Sequence, residues 1–438
     1  MSADATIASL GAALRCGRAT AADLLEQCLA AIEARDPTLN AFITVLADDA
    51  RRQARAADAE LAAGRDRGPL HGIPISLKDL IDLHGTPTTA ASRVRSGHRA
   101  GDDAPVAARL RTAGAVFVGK CNLHEFALGT TGEESAFGPT RNPHAPDHVP
   151  GGSSSGSAAS VAAGMAVASI GTDTGGSIRI PAAACGLVGL KPTHGELSLQ
   201  GIVPLAPSLD HVGPITRSVR DAAIVHQVLA GGRGDRALPA AARGARLGVP
   251  QGYFMEEIDP AVRGVFESCI TRLEAAGCRV EEIDIPHAAE TPDVYRRTQL
   301  PEAAAYHRET LEARPDDYGE QVRLRLEMGR RMTAEEYARA QRERLLLSAE
   351  VDAALDGRAA LLLPTLPIVP PRLGADAETA RRRMLRLTQL FDVTGHPAIS
   401  VPCGAAGGLP AGVQLIGRRG ETANLLVQAA ALEPVVRG

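Results

Sequence analysis

Two stretches of the chain combine small residues and hydroxyls in a pattern that suits a nucleophile set beside backbone N–H donors. The first is Gly151-Gly152-Ser153-Ser154-Ser155-Gly156-Ser157, followed at once by an Ala/Val pattern of helical period. The second is Gly171-Thr172-Asp173-Thr174-Gly175-Gly176-Ser177-Ile178-Arg179-Ile180-Pro181, which reads as a strand, a Gly-rich turn and a short helix. Taken alone, the first segment also fits a flexible linker or a phosphate nest at a helix start. The apolar helix pattern behind it argues against the linker. A tight Gly-rich turn exposes one hydroxyl and aims consecutive N–H groups towards it, and a nucleophile beside an oxyanion hole needs both. No Ser, His and Asp set has a diagnostic spacing, so the residue types leave a serine hydrolase as one reading among several.

A base is the next requirement. Only three of the 47 basic residues are Lys (Lys78, Lys120 and Lys191), and the other 44 are Arg. Arg stays protonated at any accessible pH, whereas a desolvated Lys can lose its proton. The search for a catalytic amine is therefore short.

Other chemistries lack support. The twelve His are spread singly, and the pair His144 and His148 sits among Pro143 and Pro146 in a loop. Neither an HExxH nor a Cys/His cluster occurs, so no metal site is expected. Nucleotide cofactors are not expected either, because no GxGxxG follows a strand and no GxxxxGK[ST] is present. The seven Cys (16, 28, 121, 185, 269, 278 and 403) form no CxxC pair and read as small buried hydrophobes. Cys185 lies near the second segment but has no visible base.

The formal charge of −4 is no footprint for nucleic acid or an anionic membrane surface. No apolar run approaches the roughly 18 residues a membrane helix needs. Met1-Ser2-Ala3-Asp4 lacks the basic start of a signal peptide, so a cytoplasmic location is expected.

The elements that must hold these residues alternate. The first 65 residues read as helices: one from Ala21 behind the cap Thr20, ending at Asp36-Pro37, and one from about Asp48 to Ala63. A β-like run, His71 to Lys78, follows. Helix at Ala104–Ala113 and strand at Ala115–Val118 come next, then helix at Ser157–Ala163 and strands at Ala166–Ile170 and Leu187–Leu190. Further on, Ser218 caps a helix to about Leu229. Strands are expected at Arg246–Val249, Cys278–Ile285, Leu361–Leu363, Ala398–Val401 and Gly412–Ile416, with helices at Pro260–Ala276 and Thr422–Leu432. The alternation predicts an α/β fold with helices on both faces of a large sheet. Residues 290–357 interleave Arg and Glu and read as solvated helices with i,i+4 pairs, or as a lid. Neither a repeat nor an interdomain linker is visible.

The two Gly/Ser segments, with Gly72-Ile-Pro-Ile-Ser-Leu-Lys78-Asp upstream and Cys185-Gly-Leu-Val-Gly-Leu-Lys191-Pro-Thr downstream, together resemble the amidase signature family. Ser135 to Pro143, Ser208 to Pro214 and Pro397 to Pro402 extend the resemblance over nearly the whole chain, most strongly over 70–230. It implies the amidase signature fold as a single domain over 1–438, a large mixed sheet flanked by helices. It also implies a Ser–cis-Ser–Lys triad, which falls on Ser177 as nucleophile, Ser153 as proton relay behind a cis Gly152–Ser153 bond, and Lys78 as base. The oxyanion hole falls on the N–H groups of Thr174, Gly175, Gly176 and Ser177. Asp173 and Arg179 are expected to hydrogen-bond around the turn, and Ser154 and Ser155 to be capping or loop hydroxyls. Lys120 and Lys191 read as braces of turns. The substrate pocket is expected to be built from 125–135 and 290–390, with Phe126, Ile178 and Ile180 as apolar lining.

Three positions depart from the family's usual residues: Ser155 where Gly is common, Ile180 where the glutamine-hydrolysing component of tRNA-dependent amidotransferases has Gln, and Asp392 where Asn is common. The resemblance implies a cofactor-free amidase acting on a small-molecule amide or carbamate, as monomer or homodimer. The alternatives are the amidase component of a glutamyl-tRNA amidotransferase and an inactive binding module on the same fold.

Overall fold

The sheet is built from both ends of the chain. In the computed structural model, which describes residues 5–235, 238 and 244–438, eleven strands run β1 (Phe42–Val45), β2 (Pro74–Lys78), β3 (Val116–Cys121), β4 (Ala168–Asp173), β5 (Val188–Lys191), β6 (His211–Thr216), β7 (Arg246–Pro250), β8 (Arg279–Ile283), β9 (Ala360–Pro364), β10 (Ala398–Ala406) and β11 (Leu409–Ile416). Their order across the sheet is β1-β3-β2-β4-β6-β5-β10-β11-β9-β7-β8. β3, β2 and β4 are mutually parallel, as are β9, β7 and β8, and the strands between them pair antiparallel. Such a mixed sheet with helices on its faces is the architecture that the αβ alternation predicts. β2, β3, β4, β5 and β9 are buried at every position, the polar Ser76, Lys78, Lys120, Ser169, Thr172, Asp173 and Lys191 included.

Several boundaries differ from the sequence reading. The helix begun at Ala21 passes through Pro37 and ends at Leu39, with Asn40 left-handed at its C-cap. A proline in a last turn removes one hydrogen bond at an end that frays anyway. β6 contains Gly213 and Pro214, residues that argue against a central strand. β5 pairs with β6 only at Ile215 and Thr216, so on that side Pro214 lies past the end of the ladder. Residues 290–357 form three helices, Thr291–Ala313, Glu320–Arg330 and Ala334–Ala354, with i,i+4 pairs Asp293–Arg297, Arg323–Glu327 and Arg339–Glu343. Six of the seven Cys are buried, but Cys16 is exposed behind the first helix and is not a core residue. No helix among the described residues is long and apolar enough to cross a membrane.

Candidate active site

The parallel strands β2 and β4 end side by side and deliver the polar groups. Lys78 is the last residue of β2, Thr172 and Asp173 the last two of β4. The C-terminal ends of parallel strands are where α/β sheets leave a crevice for ligands. Lys78 is fully buried, and its Nζ lies 2.8 Å from Ser153 Oγ and 2.8 Å from Thr172 Oγ1. Burial outweighs the attraction of Asp173 and Asp210 and brings the ammonium pKa down to about 7. A lysine so placed is both proton donor and acceptor near neutral pH.

Ser153 follows a cis peptide bond from Gly152 and precedes the helix Ser155–Ala162. Gly152 has no room for a side chain, because a Cβ there would lie 3.0 Å from the backbone of Thr130 and Gly132. The Ser154 N–H donates to the Ser177 carbonyl at 3.3 Å, which joins the two Gly/Ser segments backbone to backbone. Ser154 is not a side-chain cap. Its Oγ donates to the Thr172 carbonyl at 3.1 Å and accepts the Thr172 N–H at 3.3 Å, tying the segment to the end of β4. Ser155 opens the helix with a right-handed backbone and donates to Thr140 Oγ1, so the glycine usual there is not required.

Ser177 sits before the short helix Arg179–Ala184, and its turn is organised by Asp173. That carboxylate accepts the N–H groups of Gly176 (2.6 Å), Ile178 (3.1 Å) and Arg179 (3.3 Å) and both Nε and Nη2 of Arg179. Although burial opposes ionisation, Arg179 and these donors hold Asp173 well below the usual carboxylate range. The Gly176 N–H is therefore committed to Asp173, unlike the role expected for it in an oxyanion hole. At the other end of the same peptide, Thr388 Oγ1 donates to the Gly175 carbonyl at 2.6 Å. Gly176 adopts φ +138°, open to glycine, and a Cβ on Gly175 would meet Tyr295 Oη at 2.7 Å. Thr174 Oγ1 donates to the buried Asp210 at 2.6 Å.

Arg179 carries a second carboxyl, Asp392, on its Nη2 at 2.5 Å. Burial first, and then the neighbouring Asp173 charge, push the Asp392 carboxyl well above the usual range. The other two lysines are also fully buried. Lys120 pairs with Asp79 at 3.0 Å, and Lys191 donates to the His396 carbonyl at 2.6 Å. Thr172, Asp210 and Thr388 were missed in the sequence. Thr172 has a local signal, since it precedes Asp173 at a strand end, but Thr388 arrives from more than 200 residues away.

The three residues expected to line the pocket lie elsewhere. Ile178 is buried in a cluster with Ala158, Val161 and Ile215 beneath the turn, and Ile180 in the cluster of Tyr295, Leu385 and Phe391. Phe126 packs edge-on against His307 and beside Tyr318. Two cavities lie nearby. One of about 900 Å³ is walled by Tyr295, Leu385, Arg296, Arg381 and Arg386, among others, and so abuts Gly175 through Tyr295 and Leu385. A second, of about 260 Å³, shares Gln321, Arg325 and Arg381 with it and reaches the Thr130–Thr131 loop behind Gly152. No group of three or more His, Cys, Asp or Glu among the described residues is arranged to hold a metal ion.

A family profile described as Amidase matches residues 23–426. The chain is 40% identical over an alignment of 459 positions to a glutamyl-tRNA(Gln) amidotransferase component from Roseiflexus sp. (strain RS-1), covering 96% of this chain and 94% of that one. It is 40% identical over 421 residues to an amidase of Pseudomonas putida, covering 91% and 89%. A solved structure titled as that of an amidase superposes with a TM-score of 0.93 at 38% identity, covering 98% of this chain and 99% of the other. The chain belongs to the amidase signature family and has its fold.

Proposed function

We propose that the protein hydrolyses a C–N amide bond, or a related carbamate or urea-like bond, in a small molecule through an acyl-enzyme on Ser177. The observation that carries this reading is the contact of Lys78 Nζ with Ser153 Oγ at 2.8 Å, with a lysine whose pKa is about 7. Ser177 Oγ attacks the carbonyl carbon while its proton passes to Ser153 and the Ser153 proton passes to Lys78. The carbonyl oxygen becomes an oxyanion facing the Thr174, Gly175 and Ser177 N–H groups. Collapse breaks the C–N bond, and the leaving nitrogen takes the proton back from Lys78 through Ser153. Water then repeats the sequence on the ester, releasing the acid and restoring Ser177.

A second reading is supported by the Roseiflexus relative: glutamine hydrolysis as one component of an amidotransferase, with the ammonia passed to a partner. The chemistry at Ser177 is the same in both. A hydrolysis screen over aliphatic amides, anilides, carbamates and glutamine, with Ser177→Ala as blank, tests the first. Hydrolysis by the isolated chain that vanishes in the blank supports it. Activity confined to glutamine, and dependent on a co-purifying protein, moves the assignment to the second. No turnover of any class, with or without a partner, overturns both.

A further inference from the structure

Two buried titratable groups, His211 and Lys191, lie behind the turn that carries Ser177 and have no part in the proton path through Lys78. His211 opens β6 and stands opposite Asp173, the last residue of β4. Lys191 closes β5, the other neighbour of β6. Their side chains meet. Lys191 Nζ lies 3.2 Å from His211 Nε2, and His211 Nδ1 lies 3.2 Å from the Asp173 carbonyl oxygen and 3.5 Å from Asp392 Oδ1.

Counting donors and acceptors places the proton of the imidazole. A protonated Lys191 has three N–H donors and no acceptor. It faces three acceptors: the His396 carbonyl at 2.6 Å, the Pro192 carbonyl at 3.4 Å and His211 Nε2. Nε2 therefore accepts. The other ring nitrogen faces two oxygens, of which Asp392 Oδ1 has no hydrogen-bond partner among the described residues. The single ring proton thus sits on Nδ1 and points at the Asp173 carbonyl. Burial first, then Lys191, His194 and Arg179, hold His211 well below the usual histidine range against the pull of Asp173, so a second proton is disfavoured.

That carbonyl shares its peptide with the Thr174 N–H. In a trans peptide the C=O and N–H point in opposite directions, so a donor fixed on the oxygen sets the direction of the N–H. It also polarises the N–H as a donor. Asp210, the neighbour of His211, accepts the Thr174 hydroxyl at 2.6 Å, so the start of β6 holds Thr174 at two points. We propose that His211 is a positioning residue of the oxyanion turn, its Nδ1–H holding the Asp173–Thr174 peptide so that the Thr174 N–H meets the developing oxyanion. The inference rests on the reading that Ser177 is acylated, and it adds the side chain that sets one of the donors.

Two measurements test it, and the first needs no reagent. Protein labelled with ¹⁵N-histidine is studied by NMR at pH 6, below the value of about 7 to which burial brings Lys191. The ring missing from the His211→Asn spectrum should be neutral, with Nδ1 protonated and Nε2 bare. A proton on Nε2, or on both nitrogens, overturns the proposal. The second measurement is the rate at which a sulfonyl fluoride labels Ser177. His211→Leu, which has no donor, should lower the limiting rate about tenfold, a share of the 10²–10³ that a whole oxyanion donor contributes. The half-saturating concentration should stay near that of wild type, because His211 acts through the peptide and only in the transition state. His211→Asn, whose amide can donate to the same carbonyl, should recover most of the rate. Labelling of His211→Leu as fast as wild type overturns the proposal, and so does His211→Asn as slow as His211→Leu at an unchanged melting temperature. Should His211→Leu fail to fold, the wild-type spectrum decides alone. Failure of wild type to label at Ser177 counts against the acyl-enzyme reading, and the spectrum still decides where the proton of His211 sits.

Discussion

Replacing Lys78 separates a base from a mere positive charge. With a pKa of about 7, roughly half of the folded molecules carry a neutral Lys78 at pH 7, against about one in 3,000 for a lysine at its ordinary value. Burial alone thus raises the population of competent base about a thousandfold. The neutral fraction climbs from about 9% at pH 6 to about 91% at pH 8. In the free enzyme kcat/KM should therefore rise about tenfold over that interval and level off above it. Lys78→Arg keeps the charge but cannot accept a proton, and Lys78→Met keeps the length without the amine. Both should lose about 10²–10⁴ in kcat/KM, the usual share of general acid–base catalysis.

Stability should move the other way. A lysine whose folded pKa lies below its unfolded value opposes folding at every pH where the unfolded chain is protonated. That cost is full, on the order of 5 kcal/mol, below pH 7 and declines as the pH rises towards the ordinary lysine value. Part of it is offset by the hydrogen bonds to Ser153 and Thr172, which Lys78→Met also loses. Lys78→Met should therefore melt no lower than wild type at pH 6, and its advantage should shrink by pH 9. Steady-state kinetics under substrate-limiting conditions and thermal melts from pH 5.5 to 9 check both halves. A flat kcat/KM between pH 6 and 8, with Lys78→Arg within a few-fold of wild type, would refute the reasoning.

Gly175→Ala places a methyl 2.7 Å from Tyr295 Oη and 3.0 Å from Leu385 Cδ2, so it should displace the oxyanion turn and cost about 10²-fold or more in kcat while leaving a folded protein, checked by kinetics beside a melt. Asp392→Asn should keep activity and melting temperature close to wild type, because burial and the Asp173 charge already disfavour a charge there. Asp173→Asn breaks the buried pair with Arg179 and should destabilise by about 3–5 kcal/mol, read by urea unfolding. Hydrolysis should survive exhaustive EDTA treatment, since no group of the described residues is arranged to hold a metal; a loss that zinc or manganese restores would require a different mechanism.

Much of the sheet was legible, because β2, β3, β4, β5 and β9 are buried along their length and read as short, mostly apolar segments between turn signals. β6 was not, since Gly213 and Pro214 carry the signature of a turn and only its partners β4 and β5 make it a strand. The Gly/Ser segments and the scarcity of Lys pointed to a nucleophilic turn and a short list of amines. All three lysines prove to be fully buried, so scarcity alone does not single out Lys78, which differs from the other two in contacting two hydroxyls, those of Ser153 and Thr172. The pocket was legible only by segment, the resemblance implying walls from 125–135 and 290–390, and not by residue. Its wall is assembled from the 124–134 loop, the helix Glu320–Arg330 and the 375–389 segment, which lie far apart in the chain and carry no shared local pattern. Phe126, Ile178 and Ile180 are instead buried within packed clusters.

The central claim is that Ser177 forms the acyl-enzyme, and covalent trapping tests it most directly. The wild-type protein is treated with a phosphonofluoridate or sulfonyl fluoride, digested, and the adduct located by mass spectrometry, with Ser177→Ala and Ser153→Ala treated in parallel. The adduct should sit on Ser177, be absent from Ser177→Ala, and form more slowly in Ser153→Ala, where the path to Lys78 is cut. An adduct on any other residue, or undiminished hydrolysis by Ser177→Ala, would contradict the assignment.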